Sequence, residues 1–217
     1  MQALQLEVWS DIACPWCYVG KRRLDRALER VRKQRPVQVT WRAFELAPDA
    51  PPTAPPKGTY AERIATKYSV SIREGQSMVD RMTAAAAEEG LAFDFDAVQP
   101  GNTFDAHRLI ALARERGRAE ELCERLMSAY LIEGLSIGDP SVLTQLASQA
   151  GLDAQRTQDV LAGDEFSSEV RSDESAATTA GIHSVPSFVL NGASSLSGAQ
   201  PPALLVAFLG GATSAGD

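Results

Sequence analysis

Two cysteines, Cys14 and Cys17, stand three residues apart in the run Cys14-Pro15-Trp16-Cys17. On a helix an i,i+3 pair faces one side, so the two sulfurs come within disulfide reach. Such a pair can move two electrons: one thiolate attacks a disulfide, and its neighbour resolves the mixed disulfide that results. The third cysteine, Cys123, lies between Leu122 and Leu126-Met127 and is expected to be a buried, inert thiol. Three cysteines are too few for a disulfide scaffold. A zinc site normally needs four ligands, usually in two close pairs. Cys123, His107 and His183 are the remaining candidates and none is paired at metal spacing, so no metal is expected. A purely structural disulfide is disfavoured in a reducing compartment.

The surrounding pattern places the pair. Leu4, Leu6 and Val8 alternate with Gln5, Glu7 and Trp9, the period-2 signature of a strand. From Pro15 to about Arg35 the period becomes helical, with Cys17, Leu24, Leu28 and Val31 on one face. Val37, Val39, Trp41 and Ala43 then alternate as a second strand. Strand, helix and strand make a βαβ unit, whose strands run parallel. Cys14 therefore stands at the exposed first turn of a helix, where unpaired N–H groups and the helix dipole favour a thiolate. Thiols at such positions have pKa values lowered from about 8.5 to roughly 3.5–7.5. Cys17 begins the buried stripe, so Cys14 is expected to attack and Cys17 to resolve. Trp16 reads as an exposed apolar surface for a partner.

Residues 48–58 are rich in proline and read as a linker. Residues 59–163 read as a helical insertion, with stops at Gly90, Gly117, Gly134 and Gly151. Asp139-Pro140 is a helix start, and Asp153 and Asp164 are further N-cap candidates. After Gly181 the chain returns to a strand over Val185–Leu190. Asn191-Gly192 is a hairpin turn, Ala193 to Gly198 the return strand, and Pro201-Pro202 opens a last helix to Leu209. The tail beyond Gly211 is expected to be disordered. Residues 1–47 and 164–217 thus form one α/β unit around the insertion.

The chain has 217 residues, 44% apolar and 23% charged, with a net charge of −7. That balance gives no basic footprint for nucleic acid. No apolar run approaches the roughly 18 residues of a membrane span. Glu7 interrupts the only candidate for a secretory leader, so a cytoplasmic location is expected.

Four stretches resemble a known family: Val8-Trp9-Ser10-Asp11-Ile12-Ala13 leading into the cysteine pair and on to Tyr18-Val19-Gly20; Trp41-Arg42-Ala43-Phe44-Glu45-Leu46-Ala47-Pro48-Asp49; Asn102-Thr103-Phe104-Asp105-Ala106-His107-Arg108-Leu109; and Gly181-Ile182-His183-Ser184-Val185-Pro186-Ser187-Phe188. Together the sequence is similar to the DsbA-like oxidoreductases with an inserted helical domain, in their FrnE branch. That branch is related to 2-hydroxychromene-2-carboxylate isomerase and kappa-class glutathione transferases. The resemblance implies a thioredoxin-like α/β fold with a large all-helical insertion. It also implies a cis Val185–Pro186 bond beside the cysteines, whose backbone meets a bound peptide or thiol. The expected function is a thiol–disulfide oxidoreductase acting on protein or small-molecule thiols. The alternative is a glutathione-dependent isomerase or transferase of a small aromatic or polyketide-like substrate. Those relatives usually carry serine where Cys14 stands. No bound cofactor is expected; glutathione is the candidate co-substrate, and the chain is expected as monomer or homodimer.

Four further residues are candidates. His107 either ties the insertion to the core by a hydrogen bond or borders the cleft and tunes Cys14. Asn102 starts the His107 helix with Thr103, and the relation to glutathione-binding proteins leaves it a substrate role. Asp11, three residues before Cys14, is a turn residue or a proton relay for Cys17, and its charge would raise the Cys14 pKa. His183 precedes the Pro186 loop and could lie near the cysteines.

Overall fold

A computed structural model describes residues 2–211; the expected disordered tail lies outside them. The first strand, β1 (Leu4–Ser10), is the organising element. Leu4, Leu6 and Val8 are each about 1% exposed, so the alternation read in the sequence is a core-facing row. β2 (Val37–Ala43) pairs with it in parallel, Leu4 opposite Val37 and Ser10 opposite Ala43. Between them runs α1 (Pro15–Val31), with Cys17, Leu24 and Leu28 buried.

The remaining strands are β3 (Ser187–Leu190) and β4 (Ser194–Ser197). β3 runs antiparallel to β1 and to β4, giving the order β2-β1-β3-β4. β3 is two residues shorter than the apolar run suggested, because Val185 and Pro186 form the loop that enters it. The turn between β3 and β4 has Asn191 and Gly192 both at positive φ (52° and 68°), the backbone of a tight hairpin turn with two left-handed residues. The last helix, α9 (Pro202–Gly211), packs on α1 through Leu205 and Leu209.

Six helices lie between β2 and residue 163: α2 (Tyr60–Tyr68), α3 (Ile72–Glu88), α4 (Phe104–Glu115), α5 (Ala119–Leu131), α6 (Pro140–Gln149) and α7 (Ala154–Ala162). Thr59–Glu62 and Ser71–Glu74 form reciprocal capping boxes at the starts of α2 and α3. Asp139 and Asp153 cap α6 and α7 as expected. Asp164 does not cap the next helix, α8 (Ser167–Thr179): the N-cap is Phe166 at φ 64°. Phe166 is buried, so its ring packing fixes that backbone where a polar cap was expected.

The proline-rich segment is packed against the helical part. Asn102 N–H donates to Pro51 O and Ala54 N–H to Pro100 O. The Pro52 carbonyl lies so close to Gly101 and Gly138 that a Cβ on either would collide with it. Most buried apolar side chains form one continuous core, from Leu6 and Phe188 of the sheet through Leu109, Leu122 and Leu126 of the helices, and Trp9, Ala177 and Ile182 form a smaller second cluster. The helices are therefore anchored against the end of the sheet that carries the cysteines.

Candidate active site

Cys14 is the N-cap of α1 and Pro15 its first helical residue. Proline suits that place because it has no N–H to leave unpaired. The Cys14 carbonyl accepts from Cys17 N–H at 3.0 Å, which brings the second cysteine back over the first. All three cysteines are free thiols. Cys14 is not the exposed residue that its first-turn position suggested: it is 6% exposed, against 1% for Cys17. The helical part covers it, for the cleft at Cys14 is walled by Tyr60, Ile64, Tyr68 and Met82 as well as by Trp16. Trp16 is 37% exposed at the rim, as expected.

The two thiols are pushed in opposite directions. Hydrogen bonding from the Cys17 side chain is the largest influence on Cys14, and with the backbone N–H groups of Cys17 and Trp16 it holds the Cys14 thiol below its ordinary value. Burial and the negative charge of Asp11 oppose the shift without reversing it. Burial pushes Cys17 well up, and the Cys14 thiolate adds to that. The Ser10 hydroxyl, buried with no other partner, and the Asp11 N–H soften the rise. Such a pair can offer one sulfur as a thiolate while the other stays protonated. Cys123 is buried in α5 and its thiol is pushed up to about 12 by desolvation, as befits an inert core residue.

The Val185–Pro186 bond is cis. Cys14 Sγ lies 3.8 Å from the Val185 carbonyl, to which it can donate as a thiol. Gly20 of α1 sits under this loop, where a side chain would strike the Pro186 ring. Val185 N–H makes no hydrogen bond among the described residues.

Asp11 is 1% exposed and does two tasks. Its Oδ1 accepts from Ala13 N–H (3.2 Å) and its Oδ2 from Leu46 N–H (2.8 Å), which fixes the turn before Cys14 against the segment after β2. Its Oδ1 also lies 3.6 Å from His107 Nε2. His107 is 4% exposed and that nitrogen has no hydrogen-bond partner, so the expected hydrogen-bonded tie is replaced by a looser polar contact behind Asp11. Asn102 is committed elsewhere: it accepts from Phe104 N–H at 2.6 Å, capping α4, and donates to Glu45 and to Pro48 O. It lines neither arm of the cleft. His183 is exposed and lines a separate groove beside the β3–β4 hairpin, one that the cysteines do not line. Among the described residues no cluster of histidine, cysteine and carboxylate side chains could hold a metal ion.

The sequence reading missed the cleft walls. Tyr60, Ile64 and Tyr68 recur every four residues along α2, a stripe visible in the sequence once its outward face is known. Glu45 was also missed; its buried carboxylate is held by Arg171 and Asn102.

The model of the DSBA-like thioredoxin domain matches residues 5–210. The chain belongs to that family. It is 39% identical to a probable DsbA oxidoreductase from Streptomyces coelicolor, with a TM-score of 0.90 over 99% of this chain and 92% of that one. The cytosolic disulfide reductase DsbM of Pseudomonas aeruginosa shares the fold at 18% identity, with a TM-score of 0.67 over 96% of this chain and 98% of that one. A curated relative, the uncharacterized protein YwbO of Bacillus subtilis, is 29% identical over 86% of each chain. The family's thioredoxin-like fold with its helical insertion is the architecture observed, and no helix among the described residues is long and apolar enough to cross a membrane.

Proposed function

We propose that this protein is a thiol–disulfide oxidoreductase of the FrnE branch, working in the cytoplasm, with Cys14 as nucleophile and Cys17 as resolving thiol. In the reducing direction the Cys14 thiolate attacks one sulfur of a substrate disulfide. The S–S bond breaks, and the leaving thiolate takes a proton from water. Cys17 then gives up its proton and attacks Cys14 Sγ; the Cys14–substrate bond breaks and the second substrate thiolate leaves. The substrate gains two electrons and the protein holds a Cys14–Cys17 disulfide. A thiol of the glutathione class, acting as co-substrate, returns it to the dithiol.

The observation that carries this reading is the placement of the two sulfurs: Cys14, at the N-cap of α1, lines the cleft and lies 3.8 Å from the Val185 carbonyl, while Cys17 is buried behind it, and the directions of the two thiol shifts agree with that placement. Asp11, buried in the turn before Cys14 with His107 behind it, is the acceptor we assign for the Cys17 proton. Val185 supplies an unpaired N–H beside Cys14, which suits an extended peptide or thiol laid along the loop. The reducing direction is also supported by the fold shared with DsbM, named a disulfide reductase and solved with GSH as well. Insulin reduction driven by glutathione or dithiothreitol tests the proposal. Turnover is expected of the parent and of neither Cys14→Ser nor Cys17→Ser. Full turnover by Cys17→Ser would instead assign a monothiol, glutathione-linked reaction.

A further inference from the structure

The cleft at Cys14 has two arms, and their walls differ in chemistry. The first, about 240 Å³, holds Cys14 and Trp16 with Tyr60, Ile64, Met78 and Met82. The second, about 230 Å³, adjoins it through Ala13, Leu46, Tyr60, Ile64 and Lys67, which line both. The apolar surface continues outward: Tyr68 is 54% exposed, and the same α2–α3 turn exposes Val70 and Ile72. Large apolar side chains left open beside a reactive group mark a binding surface.

The charges around these arms are one-sided. Lys67, Arg81 and Arg63 line them, and Asp11 is the one carboxylate among the lining residues. Asp11 is buried and its oxygens are engaged. Arg63 is partly engaged, donating to Gly58 O and Val98 O and lying over the Tyr60 ring. Lys67 makes no hydrogen bond or ion pair among the described residues, and the Arg81 side chain donates only to Ser77 O of its own helix. The acids of α2 and α3 do not neutralise them. Glu62 and Glu74 close the capping boxes, and Asp80 accepts from Gln76. This cationic rim belongs to a chain whose net charge is −7, so it is a local arrangement set against the overall balance.

We propose that the site selects peptide disulfides that carry a bulky apolar residue and an acidic one beside the reacting cysteine. The apolar side chain fills the arm between Trp16 and Met82, and the carboxylate meets Lys67 and Arg81. The inference rests on Cys14 being the attacking thiol. Complementary rim charges act on encounter and register, each exposed pair giving roughly a few-fold in rate. Two pairs therefore give about tenfold in rate.

The test uses the reduced full chain and three short peptides, Cys-Phe-Glu, Cys-Phe-Lys and Cys-Ser-Glu, each as its mixed disulfide with thionitrobenzoate. Attack of Cys14 on the peptide sulfur releases the coloured thiolate and leaves the peptide on Cys14 for Cys17 to displace. The Phe-Glu peptide is expected to react about tenfold faster than the Phe-Lys one, the scale of two rim pairs, and faster than the Ser-Glu one. In the Lys67→Glu/Arg81→Glu variant the Glu–Lys order is expected to invert. Equal rates for the three peptides, or an unchanged order in that variant, would overturn the selectivity while leaving disulfide exchange intact. Absence of release from every peptide would overturn the exchange reaction itself, and the selectivity with it.

Discussion

Gly20→Ala tests how the Pro186 loop is held beside Cys14. Gly20 lies inside α1, and a Cβ there falls 2.8 Å from Pro186 Cγ and 3.6 Å from Ala199 Cα. Carbon atoms in ordinary contact lie about 3.5–4.0 Å apart, so the loop must retreat by several tenths of an ångström. Proline offers no flexible side-chain end to swing away; ring pucker absorbs only part of the clash. Overpacking of this kind costs about 1–3 kcal/mol. Replacing a helix-interior glycine by alanine returns about 0.5–1 kcal/mol. The net loss is roughly 0–2.5 kcal/mol, which for a chain of this size lowers Tm by up to about 10 °C. Thermal unfolding of the reduced protein reads this directly. Exchange with a thionitrobenzoate disulfide should slow as well, because the loop carrying the Val185 carbonyl and N–H moves off Cys14. A Tm that rises, as helix propensity alone would demand, refutes the tight contact and with it the role of Gly20 in seating the loop.

Two further substitutions separate the roles of buried groups. Asp11→Asn removes a charge that raises the Cys14 thiol, so thiolate absorbance should titrate at lower pH than in the parent, while resolution by Cys17 slows for want of its proton acceptor; a midpoint that moves up contradicts the electrostatics. Cys123→Ala should flatten the alkaline loss of stability: the folded thiol titrates at about 12 against an ordinary 9.0, so its contribution is full below pH 9 and is lost as pH rises from there. The parent should lose about 1 kcal/mol from this group between pH 9 and 10 and about 1.4 kcal/mol per unit beyond, alongside Cys17, whose thiol is also pushed up, and joined above pH 10 by Tyr18 and Tyr130, each pushed up to about 12. Denaturant unfolding between pH 9 and 10 measures the slope, and an unchanged slope in the variant refutes the assignment.

The elements legible in the sequence are those whose signal is local. The alternation of Leu4, Leu6 and Val8, the proline after Cys14, the capping aspartates Asp139 and Asp153 and the Asn191-Gly192 turn each act over a few residues, and each is found where expected. What was not legible depends on segments distant in the chain. Cys14 lies at a helix start, yet it is covered because α2 and α3 pack over it, and no local pattern announces that. Asn102 reads most simply as a helix start, and only the folded chain brings Glu45 and Pro48 to its amide. His107 and Asp11 are 96 residues apart in number, and only the docking of α4 against the β1–α1 turn brings them to 3.6 Å. The Phe166 N-cap overrides Asp164 because tertiary burial of an aromatic ring outweighs a local capping preference.

Mass spectrometry of single-cysteine variants mixed with a disulfide substrate reads out the proposed division of labour between the two sulfurs. Cys17→Ser should accumulate a stable mixed disulfide on Cys14, because attack survives and resolution does not. Cys14→Ser should carry no adduct, since burial keeps the Cys17 thiol protonated and well above its ordinary pKa. Stable adducts on Cys17 in the Cys14→Ser protein, with none on Cys14 in Cys17→Ser, would reverse the two roles and contradict the account.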